Sequence, residues 1–271
     1  PMPEPVYPIG CKGKASTKLN LMDTSVDIKV GDRVSMVGTL GGFGEYIVTP
    51  IDEVEKIDER VDPEAASLFE PTILTNAVAH NNVSMNDTVL ILGQGALGLL
   101  STQMARAYGA AKIITTDVQP FKREMSKKMG ADYVLDPNEG NVADNILALT
   151  DGQGADVVIE CAGEPEAIRL IPYVGRQGAR IGQIGACCVP LTIDWSYIHF
   201  KGYNVSGSQQ GIMSLGGMQG AKKAAAKMMA SGKIDYASLI THRLPLTVEA
   251  AEDIFKKIEK GDEVIKAIFK P

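Results

Sequence analysis

Cysteine is scarce in this chain: there are four in 271 residues, Cys11, Cys161, Cys187 and Cys188. They form no C-x-x-C pair and no evenly spaced framework, which excludes a disulfide scaffold and leaves reduced thiols in a cytoplasmic protein as the expectation. Long apolar runs are also missing. None reaches the roughly 18–20 residues that a membrane-spanning helix needs, and no charged-then-apolar signal segment opens the chain. Positive charge is in deficit, with 27 Lys and Arg against 33 Asp and Glu for a net charge of −6. That balance argues against a nucleic-acid partner, which needs a basic surface. No repeat of fixed period and no low-complexity stretch appears.

What is present suits an ordinary globular core, with 45% hydrophobic and 22% charged residues. Pro1, Pro3, Pro5 and Pro8 forbid an early helix. From Val30 to Pro50, "VGDRVSMVG" and "GGFGEYIVTP" read as β-prone runs punctuated by glycine, a small irregular β-unit. "VDPEAASLFEP" reads as a helix with Asp62 at its N-cap, Pro63 at its first position and Pro71 as its stop. The rhythm changes from about Asn76. Six strand-like runs follow, "TVLILG", "KIITTD", "DYVLDP", "ADVVIECAG", "GARIGQIG" and "YNVSGS", with helices or long crossovers between them. That alternation predicts an α/β fold with a doubly wound parallel sheet. After Ser208 come an alanine- and lysine-rich helix, a strand in "LITHRLPL", an amphipathic helix in "TVEAAEDIFKKIEKG" and a last strand in "EVIKAIF". This tail is expected to rejoin the first β-unit. Residues 1–75 and 210–271 would then form one discontinuous domain, and 76–209 the other.

The sharpest signal is Gly93-Gln94-Gly95-Ala96-Leu97-Gly98. Glycine is common, and the three glycines alone could serve a plain strand-to-helix turn. Context points further, because the motif follows the apolar strand Val89–Leu92 and opens a helix. Gly93 permits a tight turn, Gly95 lets backbone approach a pyrophosphate, and Gly98 lets helix pack on strand. The helix N-terminus offers free N–H groups to phosphate. Asp117 closes the next strand, 19 residues beyond Gly98. A carboxylate there accepts from both hydroxyls of an adenosine ribose and repels a 2′-phosphate, so NAD is expected over NADP. Lys122 and Arg123 follow close behind and could soften that preference. "ECAG", with Cys161 and Ala162, and "IGQIG", with Ile184 and Gly185, end the fourth and fifth strands, where ligands of open α/β sheets lie.

The chain resembles the medium-chain dehydrogenase/reductase superfamily, and within it the zinc-containing alcohol and polyol dehydrogenase branch. The residues that carry the likeness are "VGDRV" (30–34), "GGFGEYIVTP" (41–50), "AASLFEP" (65–71), "GQGALG" (93–98), Asp117, "KKMGAD" (127–132), "GADVVIECAG" (154–163), "ITHRLPL" (240–246) and "IKAIFKP" (265–271). The resemblance implies a Rossmann NAD-binding domain over 76–209 and a GroES-like, β-rich catalytic domain over 1–75 and 210–271. It also implies reversible hydride transfer between an alcohol or polyol carbon and nicotinamide, in a homodimer or homotetramer.

In that branch a catalytic zinc acts as a Lewis acid on the substrate oxygen and needs about three protein ligands. The resemblance makes Glu70, in its Glu-Pro pair, a zinc-ligand or near-ligand carboxylate; otherwise it is a helix-end glutamate. It aligns "IGCKGKAS" with the family's Gly-His-Glu segment, which puts Cys11 where the histidine stands and Lys12 where the glutamate stands. The segment carrying the first cysteine ligand has no counterpart, nor does the four-cysteine structural lobe. The catalytic domain is therefore expected to be incomplete, its N-terminal part missing or altered. His80, expected in a hinge, His199 and His242 read as packed or exposed rather than liganding. Cys187 and Cys188 read as small apolar filling. Two rival functions remain: an NAD-binding protein with an impaired zinc site, and a zinc-independent NAD(P)H reductase of the same superfamily.

Overall fold

The computed structural model describes residues 28–38 and 42–271, together with the backbone of residues 13 and 14. In chain order the elements are β1 (Gly13–Lys14), β2 (Arg33–Met36), β3 (Val54–Lys56), α1 (Phe69–Asn82), β4 (Thr88–Leu92), α2 (Ala96–Ala107), β5 (Lys112–Thr116), α3 (Pro120–Lys128), β6 (Tyr133–Leu135), α4 (Val142–Leu149), β7 (Ala155–Glu160), α5 (Pro165–Val174), β8 (Gly175–Gln183), α6 (Trp195–Lys201), β9 (Asn204–Gly207), α7 (Ser208–Ser214), α8 (Gly217–Ala230), β10 (Ile240–Pro245), α9 (Val248–Lys260) and β11 (Lys266–Lys270). Contacts divide the chain into two compact units. One comprises Ile73–Ala221 with Lys233–Asp235; the other comprises Pro1–Thr72, Lys222–Gly232 and Tyr236–Pro271.

The larger unit is a six-stranded sheet in the order β6-β5-β4-β7-β8-β9, every pair parallel. All six strands lie where the apolar runs placed them. The reason is visible in β4, whose Val89, Leu90, Ile91 and Leu92 are all fully buried. A central parallel strand is covered on both faces and so reads as a continuous apolar run. One face packs Leu90, Leu92, Ile114, Val158 and Ile181 against Ile146 of α4 and Ile171 and Val174 of α5. The strand order reverses between β5–β4 and β4–β7. This is the doubly wound Rossmann topology, whose ligands sit at the carboxyl ends of the strands beside that reversal.

The smaller unit holds an antiparallel sheet in the order β1-β2-β3 and a parallel pair, β10 with β11. Lys222 of α8 is fully buried in it, and its ammonium donates to the carbonyls of Asp52 at 2.5 Å and Val54 at 3.1 Å. On α9 the Thr247 hydroxyl caps the helix by accepting from the Ala250 N–H, and Gly261 closes it in the left-handed conformation.

The structure corrects several sequence expectations. Pro71 stops no helix. Residues 65–68 form a 3-10 turn that leads into α1, and Pro71 lies in the first turn of α1. There a backbone N–H has no intrahelical acceptor, so proline is tolerated. Asp62 does cap locally, its carboxylate accepting from the Glu64 N–H at 2.6 Å. His80 belongs to the last turn of α1, not to a hinge. "GGFGEYIVTP" pairs with no strand among the described residues; Tyr46 is 81% and Val48 98% exposed, while Phe43 meets the Phe269 ring edge-on at 5.3 Å. Cys187 is half-buried and Cys188 exposed, so the pair is not core filling. Helices α1, α6 and α7 were not anticipated.

Candidate functional site

The carboxyl ends of β4, β5 and β7 border a cleft of about 610 Å³, lined among others by Gly93, Gly95, Asp117, Lys122, Cys161 and Ala162. The glycine turn is built by contacts that tolerate no side chain at two of its three glycines. Gly93 sits at φ +85, and a Cβ there would lie 2.9 Å from the Ala162 backbone. A Cβ on Gly98 would lie 1.9 Å from the Gly93 carbonyl oxygen. Over Gly95 the situation is reversed: a Cβ would meet nothing within 4 Å, and the residue lines the cleft. Its lack of a side chain therefore leaves room for a ligand rather than for the protein. Ala96 and Leu97 form the first turn of α2 and are half-buried; N–H groups in such a turn have no partner in the helix ladder.

The turn is held from behind by Gln94, which is fully buried. Its side-chain carbonyl accepts from the Thr102 hydroxyl of α2 at 3.0 Å, and its amide donates to the Gly93 carbonyl at 3.0 Å. Its backbone N–H donates to Asp117 at 2.7 Å. Asp117 follows β5 directly and is 8% exposed. Its other oxygen accepts from the Gln119 N–H at 2.8 Å. The carboxylate thus ties the glycine turn to the start of the next crossover. Two backbone donors still leave acceptor positions open, since a carboxylate offers about four. The two cations beyond it differ in role. Arg123 pairs with Asp136 at 2.9 Å and donates to the carbonyls of Asp117 and Val118. Lys122 lines the cleft.

At the end of β7, the Cys161 N–H donates to the Leu92 carbonyl at 2.8 Å, and the thiol lies 3.6 Å from the Ser101 hydroxyl. Burial pushes the thiol up to about 12, with the Ser101 contact opposing. The thiol is thereby held protonated where it lines the cleft. Ile184 and Gly185 are not among the cleft-lining residues; their N–H groups donate to the Glu160 carbonyl at 2.9 and 3.0 Å. The sequence reading passed over Gln94, Thr102, Glu160 and Gln183. Glu160 stood in plain view as the acid of "ECAG", and a charged residue ending an apolar strand was the available signal.

Cys11 lies outside the described residues. Glu70, in the smaller unit, is half-buried in the first turn of α1. Burial raises its carboxyl, and the Lys266 ammonium opposes that shift; burial likewise lowers Lys266. Among the described residues no three His, Cys, Asp or Glu side chains come together as a metal site, so Glu70, His80, His199 and His242 do not assemble a zinc centre there.

Comparison with known proteins follows the same lines. The family model for zinc-binding dehydrogenases matches residues 96–231, just over half of the chain. L-threonine 3-dehydrogenase of Pyrococcus horikoshii is 32% identical over 241 residues, covering 85% of this chain and 63% of the relative. The enzyme of the same name from Pectobacterium carotovorum is 32% identical over 170 residues, covering 62% of this chain and 49% of the relative. The chain therefore spans about 63% of the length of the first of these relatives. Among solved structures, 2R,3R-butanediol dehydrogenase from Bacillus subtilis superposes with a TM-score of 0.78 at 22% identity, covering 91% of this chain and 76% of that one. Galactitol-1-phosphate dehydrogenase from Escherichia coli does so with a TM-score of 0.79 at 22% identity, covering 91% and 79%. Both share the fold. From the glycine turn, the parallel sheet and the matched model together, this chain belongs to the zinc-binding dehydrogenase family, in the zinc-containing alcohol and polyol dehydrogenase branch of the medium-chain dehydrogenases/reductases.

Proposed function

We propose that this chain binds NAD in the cleft beside Gly95, and that the protein is an NAD-dependent oxidoreductase acting on an alcohol or polyol carbon. The observation that carries this is the open space over Gly95 at the start of α2, in the same cleft as a buried carboxylate ending the neighbouring strand. A pyrophosphate fits the first-turn N–H groups and the positive end of the helix. Asp117 would accept ribose hydroxyls with the lone pairs that Gln94 and Gln119 leave free, and its charge would repel a 2′-phosphate. Gly93, Ala96, Leu97 and Gly98 set the turn, Lys122 the rim, and Cys161 with Ala162 the opposite wall. Ile184 and Gly185 lie behind that wall. Bound NAD would supply the hydride acceptor.

The named relatives act, by their names, on a threonine, a butanediol and a galactitol phosphate. They support a small hydroxylated substrate, an alcohol, polyol or amino alcohol. The zinc of the family is assigned no step here, because the described residues do not complete a ligand set. A second reading is an NAD-binding protein without a working metal centre. The outermost described strand, β9, with Val205 44%, Trp195 65% and Phe200 78% exposed nearby, supports a homodimer or homotetramer. No helix among the described residues is long and apolar enough to cross a membrane. The three described cysteines, Cys161, Cys187 and Cys188, are free thiols and fit a cytoplasmic location.

The test is a fluorescence titration with NADH and NADPH, together with metal content and NAD-linked oxidation of threonine, butanediol and a polyol panel. NADH binding with turnover supports the dehydrogenase. NADH binding without metal or turnover supports the second reading. A preference for NADPH favours the zinc-independent reductase instead.

A further inference from the structure

Glu160 is the last residue of β7 and is fully buried. One carboxylate oxygen accepts from the N–H groups of Ala162 at 2.7 Å and Gly163 at 2.8 Å. The other accepts from the Gln183 side-chain amide at 2.5 Å, and that amide also donates to the Gly185 carbonyl at 2.7 Å. All of these partners are neutral donors. Burial raises the carboxyl, and these hydrogen bonds pull against that shift. Burying a carboxylate without a cation is costly, and an apolar side chain would pack a strand end as well. The backbone closes tightly around it. A Cβ on Gly185 would lie 2.5 Å from the carboxylate, and a Cβ on Gly163, at φ +70, would lie 2.9 Å from the Ala186 carbonyl oxygen.

We infer that Glu160 is a positioning residue for the nicotinamide half of the dinucleotide: its carboxylate clamps the turn after β7 to the end of β8 and so sets that wall of the cleft. The inference rests on the NAD reading above. Asp117 marks the β5 side of the central strand as the adenosine side, and a dinucleotide straddles the reversal of strand order. The other half then falls toward β7 and β8, where Ala162 lines the cleft and the clamp holds its neighbours. Glu160 itself touches no substrate position; it acts through the backbone it holds.

The test compares NADH with ADP-ribose, which shares everything but the nicotinamide. Glu160→Gln places an NH2 donor among donors only. NADH affinity should fall about tenfold or more, while ADP-ribose affinity stays within about twofold. Glu160→Gln combined with Gln183→Glu restores a donor facing an acceptor at that contact while losing the donor to the Gly185 carbonyl, and should recover part of the NADH affinity. If Glu160→Gln fails to fold, Gln183→Met removes one donor and should give the same selective loss in weaker form. Equal losses for both ligands, unchanged NADH affinity, or no recovery in the double variant would overturn the inference while leaving NAD binding intact. Wild-type protein that binds neither ligand would overturn the NAD reading and this inference with it.

Discussion

Gly95 and Gly98 stand three residues apart in one motif, and the structure gives them opposite jobs. In Gly98→Ala the new methyl would lie 1.9 Å from the Gly93 carbonyl oxygen. An ordinary carbon–oxygen contact is about 3.3 Å, so turn and helix must separate by more than an ångström. Neither yields easily, since Leu90, Ile91, Leu92, Leu99 and Leu100 on either side are fully buried. Overpacking of this kind costs about 3 kcal/mol, which for a chain of this size lowers Tm by roughly 6–12 °C. In Gly95→Ala the methyl meets no protein atom within 4 Å, and the backbone at φ −69 suits alanine. The weaker N-cap and the stiffer unfolded chain offset each other to within about 1 kcal/mol, so Tm moves by no more than about 4 °C. That methyl instead occupies the space proposed for pyrophosphate. NADH should bind about 10- to 100-fold more weakly, equivalent to about 1.4–2.8 kcal/mol. Thermal unfolding by circular dichroism and NADH fluorescence titration read both effects on the same samples. Gly95→Ala protein that binds NADH like wild type would refute the placement of the phosphates. Gly98→Ala protein with an unchanged Tm would refute the packing argument.

Asp117→Asn presents an NH2 group to one of two backbone donors, so urea denaturation should show a loss of about 1–3 kcal/mol. The ratio of NADPH to NADH affinity should rise at the same time. In the smaller unit, hydrogen bonds from Lys270 and Arg243 hold the Glu64 carboxyl from its ordinary 4.5 down to about 2. A carboxyl depressed on folding adds stability that is complete above the ordinary value and is lost as pH falls through the folded one. Glu64→Gln should therefore be less stable than wild type at pH 6, with the gap closing between about pH 4.5 and pH 2 as followed by chemical denaturation. Val205→Asp puts a charge on β9, the outermost described strand, and light scattering after gel filtration should show a smaller assembly than wild type; an unchanged mass would remove that edge from the interface.

Much of the larger unit was legible because its signals are local. A strand covered on both faces must be apolar at every position, and a crossover helix must be apolar at every third or fourth, so "TVLILG" and "ALGLLSTQMARAYGA" declared themselves. The glycine motif was legible for the same reason, its meaning lying in the few residues before and after it. The smaller unit was harder. "GGFGEYIVTP" carries a strand's alternation but has no partner to pair with among the described residues, and alternation cannot report a missing neighbour. Pro71 was misread because proline is a stop inside a helix and is tolerated in its first turn; the difference depends on where the helix begins. The metal-site reading of Glu70 came from resemblance, and its companion Cys11 lies outside the described residues.

Taken alone, the sequence determined the six strands, the crossover helices α2 to α5, and the turn at residues 93–98 with its acid at 117, because each is written in side-chain periodicity within a short window. Tertiary structure alone decided what those parts touch. Gly98 is obligatory because a carbonyl five residues back leaves it no space, whereas the space over Gly95 is open. Asp117 serves the glycine turn through a hydrogen bond across 23 residues, and Glu160 meets Gln183 across another 23. Such contacts form only when separate strands end side by side, and no local pattern encodes which strand ends become neighbours.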